Sequence, residues 1–468
     1  MGGKLFMKKN MRYASMALSL VLASSALAAC GQNDKTPAAS GDSAASGSGQ
    51  AVKLKFWTNA RHDADLMKEK IDKFNETHKG KIEVETQIMT DNYEQALQTA
   101  IQADEAPDVF NAKMKLKFED LVKMKAIEPL DSYMNDDVTK RFGENLLKLD
   151  RQNALDGKTY SLPNYGTTWR LIYNKDLFAK AGIAEPPKSL SELVEDAKKI
   201  TEAGKADNVY GFALNMKTPA AAFERGLLPM VRLDGKDYYD WKTGQYTFDV
   251  LKPYVQTLKQ IVDNKSMLPG YESLDIDPLR NQFAAGKIGM YFSLSAEPGV
   301  YDSQFPTKIN WGVAQVPTVD GQAPKGANYI NGGASWLYMS GKSKNKQAAW
   351  EFMNYLYSDE VLVPYYEQGK GVSVVPSVVE KAKEPTLKNF KDFAPKDDAM
   401  WPAYPVHKVE GKPWQNVISE VILGLTPLDN AIQDLNKRYN DGLNTEEKAG
   451  NVKRVVIPDF DAHALIKK

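Results

Sequence analysis

VKLKFW, residues 52–57, alternates apolar and lysine side chains, the pattern of a strand with one buried face. Downstream, Asp63 to about Thr77 reads as a helix with Leu66, Met67, Ile71 and Phe74 on one side, stopping near Gly80. KIEVETQI (81–88) alternates again, YEQALQTAIQA (93–103) reads as a second helix, and APDVF (106–110) is a short apolar strand. Strand, helix, strand, helix, strand is the order of a parallel α/β sheet. Ligands of such sheets sit beyond the carboxyl ends of the strands. Thr58–Asp63 and Asn111–Met114 are therefore candidate site positions.

A second α/β unit follows. SLSELVEDAKKITEAG (189–204) carries a capping box, Ser189 with Glu192, and an apolar face of Leu190, Leu193, Val194, Ala197 and Ile200. FDVLKPYVQTLKQIVDN (248–264) is amphipathic, and GKIGMYF (286–292) reads as a glycine turn feeding a strand. KQAAWEFMNYLYS (346–358) and LDNAIQDLNKRYN (428–440) have apolar residues at helical spacing, with Trp350 in the core. DGKTYSLPNYGTTWRLIY (156–173) combines turn formers with an extended apolar stretch and reads as a crossing between two lobes.

At the amino end, Lys4, Lys8, Lys9 and Arg12 precede an uncharged run, Tyr13–Ala29. A basic start, an apolar run and small residues before a cut site mark a secretory signal. The run is short and rich in Ala and Ser for a spanning helix. It ends in LAAC (27–30), which holds the only cysteine of the chain and resembles the lipobox of bacterial lipoproteins. That resemblance implies cleavage after Ala29 and a diacylglycerol-modified Cys30 at the new terminus. The alternative is an ordinary secretory signal with an incidental cysteine. One acyl chain binds a bilayer weakly and two or more anchor it. Residues 31–50 are Gly, Ser, Ala and polar residues, a flexible tether of roughly 25 Å root-mean-square span.

The chain has 468 residues, 43% hydrophobic and 26% charged, with 60 basic and 60 acidic side chains. That composition fills large cores, and the zero net charge gives no reason to expect a nucleic-acid partner. His62, His78, His407 and His463 are scattered without metal-ligand spacing. LDGKDYYD (233–240) lacks a full calcium-loop pattern. Neither Gly-x-Ser-x-Gly, His-Glu-x-x-His nor a P-loop occurs. No cofactor and no metal are expected.

In order, APDVF, YSLPNYGTTWRLIYNKDLF (160–178), FAAGKIGMYF (283–292), WGVAQVPT (311–318) and AAWEFMNYLYSDE (348–360) resemble the extracellular solute-binding proteins of ABC importers. The resemblance is to the sugar-binding branch that includes maltose-binding protein, and it covers essentially the whole mature chain. It implies a two-lobed α/β fold of the periplasmic-binding-protein type II, with hinge-linked lobes built from discontinuous segments. Lobe one is expected over 51–163 and 317–362, lobe two over 166–314 and 365–450, with 451–468 as a tail. A mono- or oligosaccharide would be captured in the cleft by a monomer and delivered to the permease subunits. The lipid on Cys30 would hold the chain at the extracellular face of a Gram-positive cell membrane.

Sugars present hydroxyls around apolar ring faces, so their sites need flat aromatic surfaces and forked donors and acceptors. Asn59, Arg61 and His62 follow the first strand at offsets where the resemblance implies polar sugar contacts; Asn111 and Lys113 follow the third. Thr167 stands where the maltose-binding member has an acidic contact, and Tyr165 and Trp169 flank it. Ser293, Ser295 and Glu297 stand where that member has a stacking tryptophan, so two departures set the specificity apart from maltose. Asn331, Gly332 and Gly333 offer bare backbone in a turn. Trp414 matches a stacking tryptophan of the family and Trp401 lies near it. Arg61, Lys113, Arg170 and Arg225 point to tolerance of carboxylated sugars. The competing readings are an extracellular polysaccharide-acting enzyme and a carbohydrate-sensing lipoprotein without a transport role.

Overall fold

In the computed structural model, which describes residues 51–60, 62–89, 92–112, 117–330 and 336–467, strand Val52–Thr58 buries Leu54, Phe56 and Thr58 and leaves Lys53 and Lys55 in solvent. It lies between Ile82–Ile88 and Val109–Ala112 and runs parallel to both. Parallel neighbours require crossovers, supplied here by helices Ala64–Thr77 and Tyr93–Gln102. Leu66, Ile71 and Phe74 are buried on the first helix and Met67 is half-buried, the expected face. The sheet is completed by Trp336–Met339, antiparallel on the outer edge of Val109–Ala112. One face collects Leu54, Phe56, Val109, Leu337 and Met339 with helix Lys346–Leu356. Phe352 of that helix sits edge-on to Phe56 at 5.5 Å and Phe74 at 5.3 Å. The other face packs Phe110, Ala112 and Tyr338 against Leu97 and Ile101.

A second sheet has the order 311–314, 169–174, 288–294, 210–212. Trp169–Asn174, the end of the stretch expected to cross between lobes, is an inner strand here, antiparallel to both neighbours. Its residues are buried on both faces, Tyr173 excepted, which suits an inner strand better than a linker. Helix Leu190–Gly204 begins with the expected capping box at Ser189 and Glu192 and buries Leu190, Leu193, Ala197 and Ile200. Strand Tyr210–Phe212 comes so close to it that a Cβ on Gly211 would stand 1.9 Å from the Ala197 carbonyl oxygen. Only glycine fits there.

Asp196 lies on the buried side of the same helix without a hydrogen bond or ion pair among the described residues. Burial pushes its carboxyl up to about 6, with Lys199 pulling the other way and Glu192 and Glu195 adding to the rise. The folded state thus holds this proton more tightly than the unfolded chain. Its destabilising effect is full above the folded value and vanishes below the ordinary carboxylate value. Asp196→Asn is expected to raise the melting temperature by about 1–2 °C at pH 7.5, after allowance for solvent screening. The gain should shrink between pH 6 and 4 in melts followed by circular dichroism.

The two sheets, each with cores on both faces, form two lobes joined by segments that pass between them. Two of these pair through reciprocal backbone bonds, Gly166 N to Val372 O at 2.5 Å and Val372 N to Gly166 O at 3.2 Å. Residues 317–330, expected in lobe one, bond instead to lobe-two elements. Leu190 N reaches Thr318 O at 3.1 Å, Val319 N reaches Asp234 Oδ2 at 2.9 Å, and Lys325 N reaches Leu233 O at 3.0 Å. The chain enters lobe one again only near Trp336. Helix Leu428–Lys448 outruns its expected end. The tail docks on lobe two, Ile457 N to Trp241 O at 2.7 Å and Tyr239 Oη to Val455 O at 2.8 Å. Among the described residues no helix is long and apolar enough to cross a membrane, and no metal-binding cluster occurs. The signal peptide, Cys30 and the tether lie outside the described residues.

Candidate ligand cleft

The facing sheet ends of both lobes open into one cavity of about 620 Å³, within the range of small-molecule sites. On lobe one its wall includes Ala112, at the end of Val109–Ala112, and Trp336 and Tyr338 from the antiparallel strand beside it. Phe118 adds a half-buried ring, held edge-on to Tyr160 at 5.6 Å and stacked on Tyr338 at 6.2 Å. On lobe two the wall includes Trp169, Leu294, Ser295 and Tyr329. Antiparallel pairing sets Trp169 opposite Leu294, and Trp169 stacks on Tyr329 at 5.3 Å. Aromatic faces therefore line both sides.

The back of the cleft is the crossing region, with His62, Tyr165, Gly166, Thr167, Lys370 and Gly371. Tyr165 stacks on Tyr365 at 4.5 Å. The Tyr365 hydroxyl donates to Asp63 Oδ2 at 2.9 Å and lies 2.9 Å from His62 Nε2. Burial, with Tyr165 and the Asp63 carboxylate alongside, drives the Tyr365 phenol well above its ordinary value, so it stays protonated. This cluster fixes the loop after the first strand to the hinge.

Behind the lobe-two wall lies a polar network. Glu297, with no exposed surface, accepts from Arg280 Nε at 3.1 and 3.2 Å, Arg280 Nη2 at 2.6 Å, Tyr291 Oη at 3.0 Å and Ser293 Oγ at 2.6 Å. Ser293 Oγ in turn accepts from Arg225 Nη1 at 2.9 Å. The network holds Arg225 at the cleft edge with its charge countered by Glu297, 3.9 Å away.

A second chamber of about 370 Å³ shares Gln152, Glu224 and Tyr329 with the cleft and is also lined by Arg232, Trp401, Tyr404 and Trp414. Arg232 lies over the rings of Tyr329 at 4.7 Å and Trp401 at 5.4 Å and pairs with Asp237 at 3.4 Å. A further cavity of about 390 Å³, under helix Ala64–Thr77 within lobe one, is lined largely by Phe56, Met67, Ile71, Val84 and other core residues. Asp63, Asn111 and Asn164 add polar groups to it, and it shares Tyr165 with the cleft.

The residues singled out in the sequence scatter over these places. His62, Tyr165, Thr167, Trp169 and Ser295 line the cleft. Ser293 and Glu297 are fully buried behind its wall, where their polar atoms are satisfied inside lobe two. Asn111 borders the lobe-one cavity, and its Nδ2 donates to Thr58 Oγ1 at 3.2 Å and Asn59 Oδ1 at 3.4 Å. Trp401 and Trp414 border the second chamber, 2% and 3% exposed, too little for an open stacking face. Trp401 Nε1 donates to Ala327 O at 2.8 Å. Arg61, Lys113, Asn331, Gly332 and Gly333 lie outside the described residues. Arg170, read as a candidate for anionic sugars, is spent on a forked pair with Asp398 at 2.8 and 2.7 Å. Phe118, Gln152, Glu224, Tyr329 and Trp336 were not foreseen. Trp336 follows the Asn331–Gly333 segment by three positions in the sequence, and an aromatic just beyond a glycine pair is a usable signal.

Chemically the arrangement offers ring faces with hydroxyl, amide and guanidinium groups around them, equipment for holding a polyhydroxylated solute. Comparison with known proteins agrees. A binding protein of Brucella abortus (strain 2308) is 30% identical over 288 residues, 59% of this chain and 64% of that one. The chain thus spans under two thirds of the length of that curated relative. The maltotriose-binding protein of Pyrococcus abyssi (strain GE5 / Orsay) is 26% identical over 364 residues, 74% of this chain and 72% of its own. Among solved structures, the GacH receptor of Streptomyces glaucescens GLA.O, seen unliganded and with acarbose, shares the two-lobed fold at TM-score 0.67. It is 24% identical and covers 85% of this chain and 99% of its own. The family of bacterial extracellular solute-binding proteins matches residues 60–362, and its members are binding proteins rather than enzymes. With its two lobes, its cleft and that match, the chain belongs to the bacterial extracellular solute-binding protein family.

Proposed function

We propose that this protein is the ligand-capturing component of an ABC importer and takes a mono- or oligosaccharide into the cleft between its lobes. The observation that carries this reading is the pair of facing aromatic walls, Phe118 and Trp336 on lobe one and Tyr329 on lobe two, the Tyr329 ring being held by stacking on the buried Trp169. A sugar ring held on both sides by its apolar C–H faces contacts both lobes, so it favours the closed arrangement and draws the lobes together. The maltotriose-binding relative and the acarbose-binding receptor support the same ligand class. LAAC at residues 27–30 supports a lipid anchor on Cys30, which would keep the loaded protein at the outer membrane face beside its permease, working as a monomer.

The test is a thermal-shift and tryptophan-fluorescence screen of the full chain, purified in detergent, against neutral, amino and acidic oligosaccharides. Saturable binding is expected, with stabilisation of about 2.7 kcal/mol at a hundredfold excess over Kd. Turnover of any glycan without saturable binding would overturn the proposal in favour of an enzyme. Failure of the whole panel would remove the carbohydrate reading.

A further inference from the structure

Of the two acidic residues described along the cleft, Glu119 is paired with Arg151 and Glu224 is not paired. It is the next-to-last residue of helix Pro219–Arg225, half-buried, and it borders both the cleft and the second chamber. No described residue donates to it or forms an ion pair with it. Among the described residues the nearby arginines are engaged. Arg225 is bound to Ser293 and countered by Glu297. Arg232 pairs with Asp237 and donates to the Tyr404 hydroxyl at 2.5 Å. Arg151 pairs with Glu119 at 3.3 Å and Arg170 with Asp398. Lys117 and Lys370 line the cleft but not the second chamber.

At the junction of the two spaces, therefore, the Glu224 carboxylate has no partner among the described residues and shares the lining with Gln152 and Tyr329. A partly buried anion without protein donors has lost some of its hydration uncompensated, which is costly. Burial indeed pushes the Glu224 carboxyl above its usual range, with the Arg225 and Arg232 charges pulling it back. Such a group is satisfied when a ligand brings donors to it, and charge-assisted hydrogen bonds are the stronger kind. A ligand carboxylate at the same place would meet a like charge.

Resting on the carbohydrate reading above, we propose that Glu224 is the specificity-determining acceptor at this junction. It selects a sugar unit that offers hydroxyl or ammonium donors and rejects a uronate there. The ligand's outer unit then continues past Glu224 into the chamber bounded by Trp401, Tyr404 and Trp414. This reverses the expectation of acidic sugars raised by the arginines of the sequence.

Calorimetric titration of the full chain and of Glu224→Gln tests it, using neutral glucose-, mannose- and galactose-based trisaccharides, a glucosamine trisaccharide and trigalacturonate. Wild type is expected to bind a neutral or amino trisaccharide at least tenfold more tightly than trigalacturonate. Glu224→Gln keeps the shape and removes the charge. It is expected to weaken the preferred ligand by about tenfold to a hundredfold and to leave trigalacturonate unchanged or bound more tightly. Circular dichroism melts of the variant should match wild type or lie slightly above it, because an unpaired charge has been removed, and this separates the effect from misfolding. Wild-type preference for trigalacturonate, or a selectivity ratio unmoved by the substitution, overturns the role of Glu224 alone. If wild type binds none of the probes, the carbohydrate reading falls and this inference with it.

Discussion

Asp398→Ala is expected to cost about 3–5 kcal/mol of folding stability, one of two such effects that come from buried charge. Asp398 has no exposed side-chain surface and Arg170 only 3%. The two meet through both nitrogens of the guanidinium fork, at 2.8 and 2.7 Å. Arg170 also donates to the Asp392, Ala394 and Trp169 carbonyls. Removing the carboxylate leaves a guanidinium inside lobe two with backbone acceptors but no counter-charge. That orphaned ion, rather than the lost attraction, dominates the cost. In thermal melts the midpoint should fall by about 5–10 °C. The joint replacement Arg170→Met with Asp398→Leu should recover much of the loss, because neither charge is then stranded. A melt unchanged by Asp398→Ala would contradict the buried pair. The same substitution should weaken ligand binding, since Asp398–Ala399 pairs with Asn328–Tyr329 and so helps place the Tyr329 ring on the cleft wall.

Glu297→Ala is expected to have a comparable effect, about 3–5 kcal/mol, with a direct consequence for the site. It removes the acceptor shared by Arg280, Tyr291 and Ser293. Arg280 keeps Asp277 at 2.9 Å, but Arg225 loses its counter-charge and Ser293 its anchor. Both effects are read in one experiment: a lower melting midpoint together with a raised Kd for whichever saccharide the wild type binds. Glu297→Gln, which retains an oxygen and the shape, should fall between the two. A large drop in the melt with an unchanged Kd would make the network purely structural.

Much of the architecture is written in short-range periodicity. The alternation of residues 52–57 and 81–88 and the apolar faces of 63–77, 93–103 and 189–204 depend on neighbours two to four positions away. Each of these became the expected element. The Ser189–Glu192 cap formed as its spacing required. Where the reading failed, distant residues decided the outcome. Trp169–Asn174 became an inner strand because 288–294 and 311–314 flank it. Residues 317–330 joined lobe two because Asp234, Leu233 and Trp169 hold them there.

The same division runs through the site. By itself the sequence pointed to two α/β units, the order of their segments and several residues that line the cleft, His62, Tyr165, Thr167, Trp169 and Ser295 among them. The units and His62 follow from local patterns and from where strands end, whereas Tyr165, Thr167, Trp169 and Ser295 were implied by the family resemblance. Only the tertiary structure decided which charges face the ligand. Arg170 and Asp398 are 228 positions apart, and Glu224 is one of 60 acidic residues with nothing in its neighbours to single it out. Whether a charge is neutralised or left waiting depends on which groups the fold brings within a few ångströms, because Coulombic and hydrogen-bond energies fall off over that distance and take no account of separation along the chain.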